Sequence, residues 1–141
     1  LIEFSFWGTG EQETDILKDV LQAGFQPLVA HPERYAYIQE QPQIINYWRD
    51  MGCLFQVNRG SILGRFGSGA RDMGLELVSR GFATVVASDG HSFRMRTPWM
   101  EDVRSFLEQE VSPTAAEWLL KNNPSLILRN QPLEPAEPEW F

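Results

Sequence analysis

Residues 82–91 read FATVVASDGH, a run of seven apolar or small residues that leads to an aspartate and a histidine. The run shows no alternation of apolar and polar residues, which is the pattern of a strand covered on both faces. Asp89 and His91 follow it directly, and His91 is one of only two histidines in the chain. The stretch therefore predicts a buried parallel strand with polar groups at its carboxyl end, where such folds place their chemistry.

The same arrangement occurs twice more along the chain. Each time a segment with helical periodicity ends at a glycine, and a short apolar run follows that glycine. Helix and strand alternating in this way indicate βαβ units and a parallel sheet, and an antiparallel α+β domain is the alternative. The predicted helices are 13–23, 42–51 and 70–80, and the predicted strands are 25–30, 53–57 and 82–88, with LIEF at 1–4 as a further strand.

The last third of the chain predicts two more helices and a tail. Apolar residues at helical spacing predict a helix over 98–110, and Ser112 followed by proline predicts the start of another. The sequence NNP at 122–124 is expected to end that second helix. We therefore expect one domain over 1–130 and a flexible, acidic, proline-rich tail over 131–141.

Composition and charge exclude several classes of partner. A net charge of −7 and a pI near 4.8 argue against binding to nucleic acid or to an anionic membrane surface. No apolar run approaches the roughly 18–20 residues of a membrane span, so membrane insertion is not expected. Cys53 is the single cysteine, which excludes a disulfide within the chain and is expected to be a core residue. These features predict a cytoplasmic protein.

Ionisable and amide side chains occur where the predicted strands end. Glu3 lies near the end of the first, His31 and Asn58 follow the next two, and Asp89 and His91 follow the last. Because the carboxyl ends of parallel strands meet at one edge, we expect these groups on the same rim of the sheet. An extended backbone would also direct the side chains of Asp89 and His91 the same way. Carboxylates and imidazoles are the ligands of zinc, manganese or iron.

Arginines accompany these groups and suggest a phosphorylated substrate. Arg34, Arg94 and Arg96 flank the same predicted rim. Arginine binds phosphate through two parallel hydrogen bonds, and a divalent metal activates water beside a phosphoryl group. The combination predicts phosphoester hydrolysis.

Each of these residues also has a purely structural interpretation. His31 before a proline fits a turn in which its ring donates to a backbone carbonyl, and Asp89 before a glycine is a common turn dipeptide. Glu3 inside an apolar strand needs a partner, and a salt bridge satisfies that need as well as a metal does. Glu33 and Arg34 fit an exposed ion pair of little consequence. The shared position on one rim favours the functional interpretation.

Three motifs resemble one known family. PLVAHPERY, FQVNRGSILGRFG and VVASDGH followed by Arg96 are similar to the PHP-superfamily tyrosine-protein phosphatases of bacterial capsule and exopolysaccharide loci, the CpsB/YwqE type. The resemblance runs over 1–130. It implies an α/β fold that is the C-terminal part of a distorted TIM-like (PHP) barrel with parallel strands.

The resemblance also implies a chemistry. Such enzymes use Mn²⁺ or another divalent metal, in a multinuclear cluster, to hydrolyse phosphotyrosine on the tail of a bacterial tyrosine autokinase that controls capsule synthesis. Metal-activated water attacks phosphorus in line, without a cysteinyl-phosphate intermediate. The residues implied as metal ligands are Glu3, His31, Asp89 and His91, and those implied as catalytic, phosphate-binding residues are Arg34 and Arg96. Asn58 and Ser61 are expected to shape a loop, with contact to the substrate as the alternative, rather than to bind metal.

One departure from the family pattern limits this expectation. The His-x-His strand with which the family begins, and the further ligands after it, do not occur in this sequence. We therefore expect a C-terminal portion that needs the N-terminal half of the same domain and is inactive alone. Its strand at 1–4 would expose an unpaired edge, which predicts poor solubility or self-association as an oligomer.

Other functions remain open at this point. Within the same superfamily, the alternatives are a phosphatase of the histidinol-phosphate type and a polymerase-associated exonuclease. A non-catalytic module that has lost its metals is the alternative of a different class.

Overall fold

A computed structural model describes residues 1–92, 94, 97–133 and 141, and it shows helices packed around a small parallel sheet. A 3₁₀ turn at Pro32–Arg34 follows the first strand, and a π-helical turn at Trp118–Asn122 precedes the last helix. The helices and strands among these residues are α1 Glu11–Gln22, β1 Leu28–Ala30, α2 Ala36–Glu40, α3 Gln43–Asp50, β2 Leu54–Asn58, α4 Arg59–Ile62, α5 Ser68–Ser79, β3 Val85–Ala87, α6 Glu101–Glu110, α7 Pro113–Glu117 and α8 Asn123–Leu128.

The sheet has the order β1-β2-β3, and both pairings are parallel. Leu28 lies opposite Leu54, and Asn58 lies opposite Ala87. All five residues of the central strand β2 are buried, because helices cover both faces of the sheet. The predicted α/β class with parallel strands is confirmed, and the antiparallel alternative is wrong for the described sheet.

The LIEF segment lies beside β1 but contributes less than a full strand. Ile2 forms a single parallel bridge to Val29, with Ile2 N donating to Leu28 O at 2.9 Å. The chain then leaves the sheet, because Phe4 N donates to the Tyr35 hydroxyl at 2.9 Å instead of to a strand. The strand predicted at 1–4 is therefore reduced to one bridge in the described structure.

The first helices show how the sequence forms the core. Glu13 accepts a hydrogen bond from Gly10 N at 2.8 Å, which satisfies a free amide at the start of α1. Leu17 of α1 and Trp48 of α3 are fully buried. The Trp48 indole donates to Thr14 Oγ1 at 2.7 Å, so the two helices are joined by a hydrogen bond as well as by apolar contact.

The predicted helices agree with the structure except at the end of the chain. Ser112 begins α7 as expected, and its hydroxyl accepts from Ala115 N at 3.0 Å. The break predicted at NNP is wrong, because the chain continues through the π-helical turn into α8. Pro124 lies in the first turn of α8, where a proline removes no needed donor, and Asn123 donates to Thr84 O at 2.8 Å. The predicted helices 13–23, 42–51, 70–80 and 98–110 correspond to α1, α3, α5 and α6.

The structure describes only part of the predicted tail. Residues 134–140 of the predicted tail lie outside the described residues, while the Phe141 ring stacks on Phe82 with centroids 5.1 Å apart. The division into 1–130 and 131–141 stays a prediction.

Across the described part of the chain, no helix combines the length and the apolar character that crossing a bilayer requires.

Candidate metal centre

The first pair of predicted ligands meets where the LIEF segment passes β1. His31 follows the last residue of β1, and its Nε2 atom lies 3.2 Å from Glu3 Oε1. The imidazole is buried, whereas the Glu3 side chain is 61% exposed. This Glu3–His31 pair thus has a fixed ring and a carboxylate that faces solvent.

The second pair lies beyond β3. His91 Nε2 is 2.9 Å from Asp89 Oδ1, so the two side chains converge as expected. The expected extended backbone is wrong, because Asp89 has φ 48° and the chain turns there before Gly90. The His91 ring reaches back to Asp89 across that turn. We refer to these residues as the Asp89–His91 pair.

Arg34 and Asn58 approach the same carboxylate of Asp89. Arg34 Nη1 is 3.8 Å from Asp89 Oδ2, and Asn58 Nδ2 donates to that oxygen at 2.9 Å. Arg34 belongs to the turn after β1, Asn58 ends β2, and Asp89 follows β3. The three strand ends therefore meet at one edge, as the parallel topology requires.

The surroundings of His31 favour a neutral imidazole. Burial lowers the pKa of His31 below its ordinary value, and the positive charge of Arg34 lowers it further. The Glu3 and Asp89 carboxylates act in the opposite direction but do not reverse the shift. A neutral imidazole is the form that binds a metal.

Both pairs contain a residue with a left-handed backbone. His31 has φ 33° and Asp89 has φ 48°, and the only other non-glycine residue of this kind in the described chain is Asn130. Such conformations are costly for residues with a side chain, and they concentrate at functional sites where the surroundings enforce them. Here they direct His31 and Asp89 away from the sheet and towards its edge.

The donor atoms are spaced as metal ligands are, but each group has only two of them. Ligands about 2.1 Å from one ion lie roughly 3.0–3.5 Å from each other, and the 3.2 Å and 2.9 Å separations are close to that range. The chemistry, carboxylate with imidazole, also suits a divalent metal. However, no three His, Cys, Asp or Glu side chains within residues 1–92, 94, 97–133 and 141 are grouped so as to hold an ion. The chain offers two partial sets of ligands.

The second predicted phosphate-binding residue, Arg96, lies outside the described residues. Arg94, which was also predicted to flank the rim, is exposed. Arg34 is the predicted arginine whose contacts the structure describes.

Glu33 was missed by the sequence analysis. The alternative of an exposed Glu33–Arg34 ion pair is wrong for Glu33, whose side chain is fully buried. Its Oε1 atom accepts from Asn58 N at 3.0 Å and from Ser61 Oγ at 2.6 Å. Burial raises the pKa of Glu33 to about 7, although these hydrogen bonds oppose the shift. A short 3₁₀ turn has no periodicity from which this burial follows, so the sequence carries no clear signal for it.

Glu33 and Asn58 together join the strand ends. Asn58 Oδ1 also accepts from Gly60 N at 2.9 Å and so caps α4. Cys53, by contrast, is fully buried at the other end of β2, and burial raises the pKa of its thiol to about 12. A buried thiol of that pKa is no nucleophile, in agreement with its expected place in the core.

Comparison with known proteins establishes the family. A family model described as "Capsular polysaccharide synthesis, CpsB/CapC" matches residues 1–129.

The chain belongs to the CpsB/CapC family.

Curated members of the CpsB/CapC family are similar to this chain over nearly all of its length. Tyrosine-protein phosphatase YwqE of Bacillus subtilis is 31% identical over 140 residues, which is 98% of this chain and 55% of the relative. Tyrosine-protein phosphatase CpsB of Streptococcus pneumoniae is 28% identical over 136 residues, which is 93% of this chain and 56% of the relative. The chain therefore spans about half the length of the curated relatives it matches.

A solved structure agrees with the fold. It is described under "Crystal structures of YwqE from Bacillus subtilis and CpsB from Streptococcus pneumoniae, unique metal-dependent tyrosine phosphatases". The match has a TM-score of 0.89 at 30% identity and covers 100% of this chain and 57% of that one. The CpsB/CapC relatives of this chain are thus named as metal-dependent tyrosine phosphatases.

Proposed function

We propose that this chain supplies the C-terminal part of a metal-dependent protein-tyrosine phosphatase with a distorted PHP barrel. Its substrate is phosphotyrosine on the tail of a bacterial tyrosine kinase that controls capsule or exopolysaccharide synthesis. The observation that carries the proposal is that the Glu3–His31 and Asp89–His91 pairs lie at the carboxyl edge of one sheet, where Arg34 is 3.8 Å from Asp89. The names of the CpsB/CapC relatives support the same activity. A cytoplasmic location belongs to this proposal.

Glu3, His31, Asp89 and His91 would hold the metal, either Mn²⁺ or another divalent ion. When bound, the ion supplies Lewis-acid activation of water and of the phosphoryl group. Because each pair offers two donors and no third ligand is grouped with either among the described residues, we infer that the full set of ligands includes residues outside them. Hydrolysis is therefore expected from the protein as its gene encodes it, and not from this chain alone.

The protein's own residues bind and orient the substrate. Arg34 is placed to donate to phosphoryl oxygens and to balance the negative charge that develops on them during the reaction. Arg96 has the same proposed role. Asn58 holds the Asp89 carboxylate in place by its 2.9 Å hydrogen bond, and the Glu33–Ser61 bond anchors the turn that carries Arg34.

The experiment compares substrates in the protein as its gene encodes it, loaded with Mn²⁺. A phosphotyrosine peptide is expected to be hydrolysed much faster than histidinol phosphate, and a chelator should abolish the reaction. Replacing Arg34 by alanine should lower kcat/KM by roughly 10²–10³-fold, as the loss of a charge-stabilising donor does.

Asp72→Ala is the matched control, because Asp72 is an exposed carboxylate on α5. It should leave the rate unchanged. Preferential hydrolysis of histidinol phosphate would replace the proposed substrate by the other phosphatase class. No hydrolysis of any phosphomonoester, with or without metal, would favour a non-catalytic module.

A further inference from the structure

The guanidinium of Arg34 packs against two aromatic rings from distant parts of the chain. Its Cζ atom lies 4.6 Å from the centroid of Phe6 and 4.2 Å from the centroid of Phe66. Both distances are well inside the ~6 Å limit for attraction between a cation and an aromatic face. Phe6 follows the LIEF segment, and Phe66 lies in the loop between α4 and α5.

Within the described part of the chain, no hydrogen bond holds this guanidinium. Among the residues that the structure describes, its nearest polar contact is Asp89 Oδ2 at 3.8 Å, which is too long for a hydrogen bond. Arg59 provides the contrast, because its Nε and Nη2 atoms donate to both oxygens of Asp102, at 2.7 and 2.5 Å. Arg59 uses its donors in contacts within the fold, whereas the N–H groups of Arg34 remain available to a ligand.

The Phe66 ring packs so close to Gly60 that a side chain at position 60 would clash with it. A Cβ atom on Gly60 would lie 2.4 Å from Phe66 Cε2 and 2.9 Å from Cζ, both far inside contact distance. Gly60 is in α4, and its amide donates to Asn58 Oδ1. The short helix capped by Asn58 therefore also places the ring that contacts Arg34.

The Phe6 ring is fixed from its own side. It lies 5.9 Å from the His31 ring and 6.1 Å from the Tyr35 ring, and Phe6 O accepts from Ala36 N at 2.9 Å. The same ring thus contacts a proposed metal ligand and the proposed phosphate-binding arginine.

We propose that Phe6 and Phe66 are positioning residues that hold the Arg34 guanidinium in place, with its donors free, to receive a phosphate monoester. The inference rests on the proposed function of this site, and it adds how the arginine is oriented. The rings act through Arg34 and do not touch the substrate.

The test measures the Kd for inorganic phosphate by calorimetry, and kcat/KM for a phosphotyrosine peptide, in the metal-loaded protein as its gene encodes it. Phe66→Leu keeps an apolar side chain but removes the aromatic face. It should weaken phosphate binding roughly three- to tenfold and lower kcat/KM by a similar factor. Phe66→Tyr keeps the aromatic face, so its phosphate Kd and its kcat/KM should remain close to those of the original protein.

Two further variants separate positioning from a general structural role. Gly60→Ala should displace the retained Phe66 ring and reproduce the phosphate-binding loss of Phe66→Leu, at an unchanged circular dichroism spectrum. In an Arg34→Lys background, Phe66→Leu should cause a much smaller further loss, because a lysine ammonium lacks the planar face that stacks on the rings.

Several results would overturn the inference. One is an unchanged phosphate Kd in Phe66→Leu alongside a weakened Kd in Arg34→Lys. Another is a lower kcat/KM for the phosphotyrosine peptide in Phe66→Leu with an unchanged phosphate Kd, which would mean that Phe66 touches the substrate. An unchanged phosphate Kd in Arg34→Lys would overturn it as well. Absence of hydrolysis in the unaltered protein would refute the proposed function instead, and the phosphate Kd would still test the inference.

Discussion

Asn58 is the residue that joins the most parts of the site. Its Oδ1 atom caps α4 through Gly60 N, and its Nδ2 atom donates to Asp89 Oδ2, both at 2.9 Å. Its backbone amide donates to the buried carboxylate of Glu33 at 3.0 Å. A single residue at the end of β2 therefore contacts groups that follow β1 and β3, through its backbone amide and its side chain respectively.

Replacing Asn58 by aspartate separates these roles. Aspartate caps a helix as well as asparagine does, but it places a second carboxylate against Asp89. We expect the free energy of unfolding, measured by urea titration with a chelator present, to fall by about 1–2 kcal/mol. Asn58→Ser, which caps α4 without adding charge, is the control and should lose less. Equal losses in the two variants would show that repulsion of Asp89 is unimportant.

Cys53 provides a prediction about reactivity. Because the thiol is fully buried and its pKa is raised to about 12, almost no thiolate exists near neutral pH. Iodoacetamide at pH 8 should modify the Cys53 peptide at least ~100-fold more slowly in the folded protein than in urea, as followed by mass spectrometry. Rapid modification of the folded protein would contradict the buried position of β2.

The sequence predicted some of these residues better than others. Glu3, His31, Asp89 and His91 are recognisable because each occurs where an apolar strand ends, and chain topology brings strand ends together. The burial of Glu33 and the ring contacts of Arg34 depend on the path of a 3₁₀ turn and a loop. Neither has a repeating pattern, so tertiary packing alone determines them.

Among the secondary-structure elements, α4 and α6 are held together by one ion pair. Arg59 of α4 is buried, and it donates to both carboxylate oxygens of Asp102 in α6 and to Thr97 O at 3.3 Å. This contact connects the segment after β2 with the helix that follows β3.

Asp102→Asn should destabilise the protein by about 1–3 kcal/mol at neutral pH, because a buried guanidinium loses its charged partner. Asparagine keeps an acceptor for Val103 N, which donates to Asp102 Oδ1 at 2.8 Å, so the start of α6 is retained. Chemical denaturation measures the change. Asp72→Asn, at an exposed position of α5, is the control and should be neutral.

The same pair predicts the pH dependence. The hydrogen bond from Arg59 holds the pKa of Asp102 below its ordinary value of 3.8. Its contribution to the free energy of unfolding is therefore complete above that value and is lost as the pH falls through the lower, folded-state pKa. The stability difference between Asp102→Asn and the original protein should shrink in this acid range. A difference that is constant with pH would contradict the ion pair.

The elements were predictable in proportion to their regularity. β2, β3 and α5 follow from an apolar run and a helical period separated by glycine. The helices α2 and α4, of five and four residues, are too short for a period to show. The NNP sequence gave the wrong end to the last predicted helix, since a proline in a first turn interrupts nothing and the side chain of Asn123 anchors α8.

For the molecule as a whole, the parallel sheet brings the two proposed ligand pairs and Arg34 to one edge. The CpsB/CapC relatives are nearly twice as long as this chain, which covers 55% and 56% of two of them. Within residues 1–92, 94, 97–133 and 141, neither proposed pair is joined by a third His, Cys, Asp or Glu side chain. The barrel, the kinase substrate and the metal's identity stay part of the proposed function.

Metal content measures the central claim most directly. The protein as its gene encodes it, dialysed against Mn²⁺ and then against metal-free buffer, is analysed by mass spectrometry beside Asp89→Ala, His91→Ala and the control Asp72→Ala. We predict bound divalent metal in the original protein and in the control, and a clear loss of metal in both site variants. Equal metal content in all four proteins, or none in any, would contradict the account.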